Sequence, residues 1–206
     1  MPPLDYKLFY QRYLPHYQPS GATLFITFRL AGSLPQEFLQ HLHEETRRKQ
    51  AEIERISDPH ARKHAAYSVQ KQLFGKWDAE LDATRHGPKW LSEPVIANLV
   101  CDVMHYRDNR VYTLEAYCVM PNHVHLVCTP LSNENGIYSL SKIMQSLKGY
   151  TARQANLFLE RQGDFWQHES YDHVVRNDAE FGRIVNYVLN NPLQAGLPAQ
   201  WVYCKK

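Results

Sequence analysis

The chain has 206 residues, 44% of them hydrophobic and 21% charged, with a formal net charge of only +2. That length suits one well-buried core with room for an insertion, and the composition is that of an ordinary soluble globular protein. A nearly balanced charge excludes a globally basic nucleic-acid binder, so any such surface must come from local placement of Lys and Arg.

The N-terminal stretch MPPLDYKLFYQRY has no apolar run of signal-peptide type, and no run in the chain is long enough to span a bilayer. Residues 22–31, ATLFITFRLA, alternate Leu24, Ile26, Phe28 and Leu30 against Thr23, Thr27 and Arg29, which predicts a strand with one strongly apolar face. GSLP breaks it. Residues 36–56 read as a charged helix; SDPH follows, with Asp58 as cap and Pro59 in the first turn of a second helix over 61–82. The two predict a helical hairpin inserted at about 36–86. Residues 92–107 predict a helix with Ser92 as cap and Pro94 near its start. RVYTLEAYCVM and HVHLVCTP predict two antiparallel strands joined at Pro121-Asn122. A helix over 137–162 carries Leu140, Ile143, Met144, Leu147 and Tyr150 at helical spacing. FWQHESYDHVVR reads as loop plus a short strand around 171–175, and 178–192 as a helix ended by Pro192. The order is strand, helices, two strands, helix, strand, helix. Its compact solution is an α+β split βαβ sheet with helices packed on it.

Four cysteines, Cys101, Cys118, Cys128 and Cys204, show no CxxC spacing. Cys118 and Cys128 lie in apolar runs and read as reduced core residues, from which a cytoplasmic location is expected.

VMPNHVHLVC, residues 119–128, places His123 and His125 inside an apolar strand. Side chains alternate along a strand, so both imidazoles point one way while Val124 points the other. Two neutral imidazoles side by side begin a metal site; on spacing alone a hydrogen-bonded polar patch is the plainer reading. His41 and His43 have the same spacing on a helix, where they diverge by about 200° and do not chelate one ion. A third ligand must come from elsewhere. The last helix offers NYVLNN, in which Tyr187 and Asn191 share one face, and Asn186 and Asn190 another. A tyrosine beside a cation suggests attack of a phenolate on a phosphoryl group, giving a covalent phosphotyrosine. Chemistry alone does not separate Tyr187 from Tyr171 or Tyr150, although Tyr150 sits in line with Ile143 and Leu147 and reads as packing.

MPNHVHLV resembles the His-hydrophobic-His motif of the HUH single-strand endonucleases. GPKWLSEPVIANLV, LEAYCVMPNHVHLV, SLSKIMQSLKGYTARQAN, FWQHESYDHVVRNDAEF and IVNYVLNNPLQAGL, in this order, resemble the REP-associated tyrosine transposases, single-tyrosine relatives of insertion-sequence transposases. The similarity runs from about residue 22 to 197. It implies a single HUH transposase-like domain over 1–206, with a ferredoxin-like antiparallel sheet, flanking helices and the helical hairpin as an insertion. It implies that His123, His125 and Asn191 hold Mg²⁺ or Mn²⁺ and that Tyr187 is the nucleophile. The implied activity is metal-dependent cleavage and strand transfer on single-stranded DNA at palindromic repeat hairpins beside a guide tetranucleotide. Cleavage passes through a 5′-phosphotyrosine that rejoining reverses. No membrane is implied, and a monomer is favoured over a dimer. The chain departs from the family at Gln194, where relatives often carry Lys, and its segment after Leu197, PAQWVYCKK, is short.

Lys142, Lys148 and Arg153 are candidate phosphate-tracking residues, for each of which singly a solvated helix face is the plainer reading; Arg176, which leads into the last helix, is the better candidate, and Trp166 is a candidate base-stacking residue for which core packing is an equal reading. His173 is one option as a partner of the site, Asp172 then facing away from it on the strand, and neither is assigned a role. Two rival functions stay open: a catalytically silent repeat-DNA-binding regulator, and a hydrolytic metal-dependent phosphodiesterase in which Tyr187 only packs.

Overall fold

The structure is a computed structural model and describes residues 9–11, 15–17, 19–134, 136–194 and 201–205. It divides into two compact units, one made of residues 1–31 and 89–206, the other of residues 32–88.

The first unit is built on an antiparallel sheet. In chain order it has β1 (Phe9–Gln11), β2 (Pro15–Tyr17), β3 (Leu24–Leu30), a 3-10 turn (Trp90–Ser92), α3 (Pro94–Arg107), β4 (Tyr112–Val119) and β5 (His123–Pro130). There follow β6 (Ser132–Asn133), β7 (Gly136–Ile137), α4 (Leu140–Phe158), β8 (Trp166–Val174), α5 (Asp178–Gln194) and β9 (Val202–Cys204). The main sheet has the order β8-β3-β5-β4-β9, while β1-β2 and β6-β7 form small separate pairs. Four of its strands, β8-β3-β5-β4, follow the connectivity of a ferredoxin-like split βαβ unit, with α3 and α4 in the crossovers.

The two faces of the sheet follow from strand alternation. Leu24, Ile26, Phe28 and Leu30 of β3 share a face with Val124, Leu126 and Cys128 of β5, and pack with Ile96, Val100 and Met104 of α3 and Leu140, Ile143 and Leu147 of α4. The opposite face carries Phe25, Thr27 and Arg29 of β3 beside His123 and His125 of β5, and it receives α5. A helix on each side buries all seven residues from Leu24 to Leu30, including Thr27 and Arg29. The β4–β5 turn is pinned at both ends. Leu30 N donates to Asn122 O at 2.8 Å, Met120 N to His123 O at 2.9 Å and Leu91 N to Pro121 O at 3.2 Å.

Several local expectations shift. Ser92 lies in the 3-10 turn and does not cap α3; Glu93 takes the N-cap position without a side-chain bond, and Pro94 supplies the preset φ of the first turn. Pro192 sits inside the last turn of α5 and does not end it; so near the C-terminus the ring sacrifices little more than the bond to the Val188 carbonyl. β8 begins five residues before the expected strand. Its register against β3 shifts between Phe28 and Leu30, and Lys148 holds the irregular stretch, its Nζ donating to Gln167 O at 3.0 Å, His168 O at 3.2 Å and Ser170 Oγ at 2.6 Å. Polar residues at Gln167 to Ser170 hide that strand from a hydrophobic pattern. Tyr150 is 51% exposed, because the buried stripe of α4 steps from Leu147 to Thr151 and Ala155. The tail adds β9, which extends the sheet beside β4. All four cysteines are free thiols, and only Cys204 is exposed.

The second unit contains α1 (Gln36–Glu54) and α2 (Pro59–Asp82). Asp58 caps α2 by accepting from Ala61 N at 2.6 Å, with Pro59 in the first turn, as the sequence predicts. The helices are laced by exposed pairs, Lys76 to Glu45 at 2.7 Å and Lys49 to Gln72 at 3.0 Å. His41 and His43 are exposed on α1. The unit's two ends meet closely. Gly87 has φ +72°, and a Cβ there would lie 2.1 Å from Gly32 O, so the approach requires glycine. Among the described residues no helix is long and apolar enough to cross a membrane.

Candidate active site

His123 and His125 lie at the start of β5, one residue apart on the sheet face that receives α5. Both are fully buried. Their Nε2 atoms face each other at 3.0 Å. The outer nitrogens are held from behind: His123 Nδ1 by Asn122 Oδ1 at 2.7 Å, and His125 Nδ1 by Thr27 Oγ1 at 2.8 Å. Burial first, and then the neighbouring His123, hold the His125 imidazole well below the usual histidine pKa, so the ring is neutral and keeps a lone pair for a ligand.

The third group arrives from α5. Asn191 is buried, and its Nδ2 lies 3.1 Å from His125 Nε2 and donates to the Tyr187 hydroxyl, also at 3.1 Å. Helical geometry explains the second distance, since residues four apart stand one above the other. The Tyr187 ring meets His125 edge-on at 5.4 Å and Phe25 at 6.2 Å. At 36% exposure it is open to solvent along one side. The hydroxyl is thus one amide away from the paired imidazoles.

This donor set suits a divalent cation. Two nitrogens at about 2.1 Å from one ion in neighbouring positions are about 3 Å apart, the separation seen between the two Nε2 atoms. Asn191 brings its amide to the same place with Nδ2 facing His125 and Tyr187, so ligation through its oxygen requires the amide to turn over. The position of α5 is set at its start. Asn177 O receives Phe181 N and Asn177 Oδ1 receives Glu180 N, both at 2.9 Å, a cap in which Glu180 in turn accepts from Arg176 N at 2.9 Å. His173 Nε2 reaches Glu180 Oε1 at 3.1 Å, so this histidine ties β8 to α5. Asp172 is on the other sheet face, beside α4.

The remaining candidates are spread out. Lys142 and Arg153 are on α4, across the sheet from the histidines; Arg153 is exposed. Arg176 is exposed at the entry to α5. Lys148 is engaged with the backbone of β8. Trp166 is buried, donating from Nε1 to Thr151 Oγ1 at 2.8 Å, with its ring edge-to-face against Phe28 and Phe165. Sequence reasoning missed Asn122 and Thr27 as partners of the histidines. The available signals were a polar residue adjoining His123 in the turn and a threonine within a strand whose neighbours are apolar. Arg29, opposite His123 on β3, is a further buried polar group of this face; burial lowers its guanidinium to about 10.

Comparison with known proteins adds three findings. The profile of a family described as transposase IS200 like matches residues 89–191. A Haemophilus influenzae protein described as a REP-associated tyrosine transposase is 22% identical over 87 residues, covering 39% of this chain and 49% of that protein. This chain therefore spans about half the length of the curated relative it matches. A solved structure of a REP-associated tyrosine transposase bound to a REP hairpin aligns with a TM-score of 0.44 and 16% identity, covering 92% of this chain and 74% of that one.

Proposed function

The chain belongs to the IS200-like transposase family, and on that premise we propose that it cleaves and rejoins single-stranded DNA at palindromic repeat hairpins, with Tyr187 as nucleophile. The observation that carries this reading is the Tyr187 hydroxyl held by Asn191, whose amide also touches His125 Nε2. The Tyr187 oxygen attacks the scissile phosphorus and gives up its proton to water along the open side of the ring. The bond from phosphorus to the 3′-oxygen breaks, and that oxygen takes a proton from water and leaves as a 3′-hydroxyl. The 5′ end stays on Tyr187 as a phosphotyrosine. Attack by a 3′-hydroxyl reverses the step and rejoins the strand. His123, His125 and Asn191 would hold a divalent cation (Mg²⁺ or Mn²⁺), which would supply charge to polarise the phosphoryl oxygen.

The side chains have distinct tasks in this reading. Asn191 orients the phenol, and Phe25 and His125 flank its ring so that only the hydroxyl faces the site. Arg176, at the entry to α5, and Lys142 and Arg153, on the α4 side of the sheet, are assigned to DNA phosphates, while Lys148 and Trp166 are engaged within the protein with β8 and Thr151. Tyr187 and the histidines belong to one chain, so the reading needs no second copy, and light scattering is expected to give a monomer.

The test is incubation with labelled single-stranded hairpin DNA and Mn²⁺, followed by a denaturing gel. A covalent protein–DNA adduct that disappears in Tyr187→Phe is expected. Cleavage without an adduct, unchanged in that variant, would mean a hydrolase; binding without cleavage would mean a silent regulator.

A further inference from the structure

Asn122 and Thr27 each make a short bond to one histidine of the pair. Asn122 presents its amide oxygen to His123 Nδ1 at 2.7 Å. An amide oxygen only accepts, so the ring carries its proton on Nδ1 and its lone pair on Nε2. For His125 the same assignment follows from the opposite side of the ring. Asn191 Nδ2 is a donor 3.1 Å from His125 Nε2, so that nitrogen must accept; the ring proton is then on Nδ1 and is donated to Thr27 Oγ1 at 2.8 Å. With both protons on Nδ1, neither Nε2 donates across the 3.0 Å between them, so two lone pairs face each other there, a repulsion that a shared cation relieves.

We infer that Asn122 and Thr27 are positioning residues that fix both imidazoles as Nδ1–H tautomers and aim their Nε2 lone pairs at one shared point. The inference rests on the reading of His123 and His125 as cation ligands. Partners of this kind orient a ligating ring and raise its basicity. The fold makes both of them rigid. Asn122 is fully buried, in a turn whose backbone oxygen accepts from Leu30 N at 2.8 Å. Thr27 is fully buried on β3, directly across from His125 in the strand pairing. One support is therefore adjacent in sequence and the other is 98 residues away. Each acts on the site through the Nδ1 of its histidine.

Two measurements on the full chain separate this inference from the function it rests on. Long-range ¹H–¹⁵N spectra of the metal-free protein read which ring nitrogen is protonated. Nδ1–H is expected for both histidines, with His123 shifting toward Nε2–H in Asn122→Leu and His125 doing so in Thr27→Val. Thr27→Ser and Asn122→Asp, which keep an oxygen in place, retain the wild-type tautomer. Mn²⁺ affinity, read by the loss of the free-ion electron paramagnetic resonance signal, is expected to fall about 10- to 100-fold in the Leu and Val variants and to recover in the Ser and Asp variants. Thr27→Val is the variant to rely on if Asn122→Leu unfolds the turn. Rings protonated on Nε2 in the wild type, or tautomers unmoved by both substitutions, overturn the inference. If the tautomers behave as stated but the wild type and a His123→Ala, His125→Ala double variant bind Mn²⁺ equally weakly, the positioning role stands and the proposed cation site fails.

Discussion

Asn191 and Tyr187 are joined across one turn of α5, the Asn191 amide donating to the Tyr187 hydroxyl at 3.1 Å. The bond holds the phenol beside His125 without help from a distant segment, so the phenol and the amide that orients it move as one piece of helix.

Asn191→Ala is expected to reduce adduct formation on hairpin DNA and Mn²⁺ affinity each by about tenfold or more, while hairpin binding in a metal chelator stays at the wild-type level. Tyr187→Phe keeps the ring contacts and loses only the hydroxyl, so it should abolish the adduct yet cost about 0.5–1.5 kcal/mol of stability in urea denaturation. Equal loss of DNA binding in both variants would argue that α5 has merely come undone.

The start of α5 is a stability site. Asn177→Ala should cost about 1 kcal/mol through the lost cap. Glu180→Ala should cost more, about 1–3 kcal/mol, because it strips a buried acceptor from Arg176 N and His173 together. Urea midpoints for the two variants check the order; Glu180 tolerating alanine better than Asn177 would contradict it.

Thiol chemistry reads the core. With Cys101, Cys118 and Cys128 buried and Cys204 exposed, a chromogenic disulfide reagent should titrate one thiol in the native protein and four after unfolding. The Cys128 thiol is pushed up by burial and then by the charge of Glu115. Its folded pKa is above the unfolded value of about 8.5, so its share of stability is complete below that pH and is lost as pH rises further, by at most about 1.4 kcal/mol per unit. Urea midpoints at pH 7.5 and 9.5 should fall in that order, with a smaller drop in Cys128→Ala.

Two glycines of the helical hairpin should respond in opposite ways. Gly75 is exposed inside α2 with open space around it, so Gly75→Ala is expected to stabilise by about 0.5–1 kcal/mol. At Gly87 a Cβ meets Gly32 O at a positive φ, so Gly87→Ala is expected to destabilise by more than about 1 kcal/mol. Hydrogen exchange over residues 32–88 distinguishes the two.

Much of this protein is written locally. Alternation in β3 and β5, the helical stripe of α4 and the Asp58-Pro59 start of α2 are repeats and caps that act within a few residues, and the chain alone determines them. The same alternation places His123 and His125 on one side of their strand whatever surrounds it. Where the pattern is polar, as at Gln167 to Ser170, or where a proline falls in a last turn, as at Pro192, local signals mislead. There Lys148, cross-strand pairing and the neighbouring turns outweigh propensity. Which of 13 tyrosines stands beside the histidines was never a local matter. Residue resemblance pointed to Tyr187, but the chemistry of the chain did not separate it from the others. Asn191 reaches His125 across 66 residues and Thr27 across 98, contacts set by the strand order β8-β3-β5-β4-β9 and by the sheet face on which α5 lands. Periodicity decides which way a side chain points, and only the packing of the layers decides what it meets.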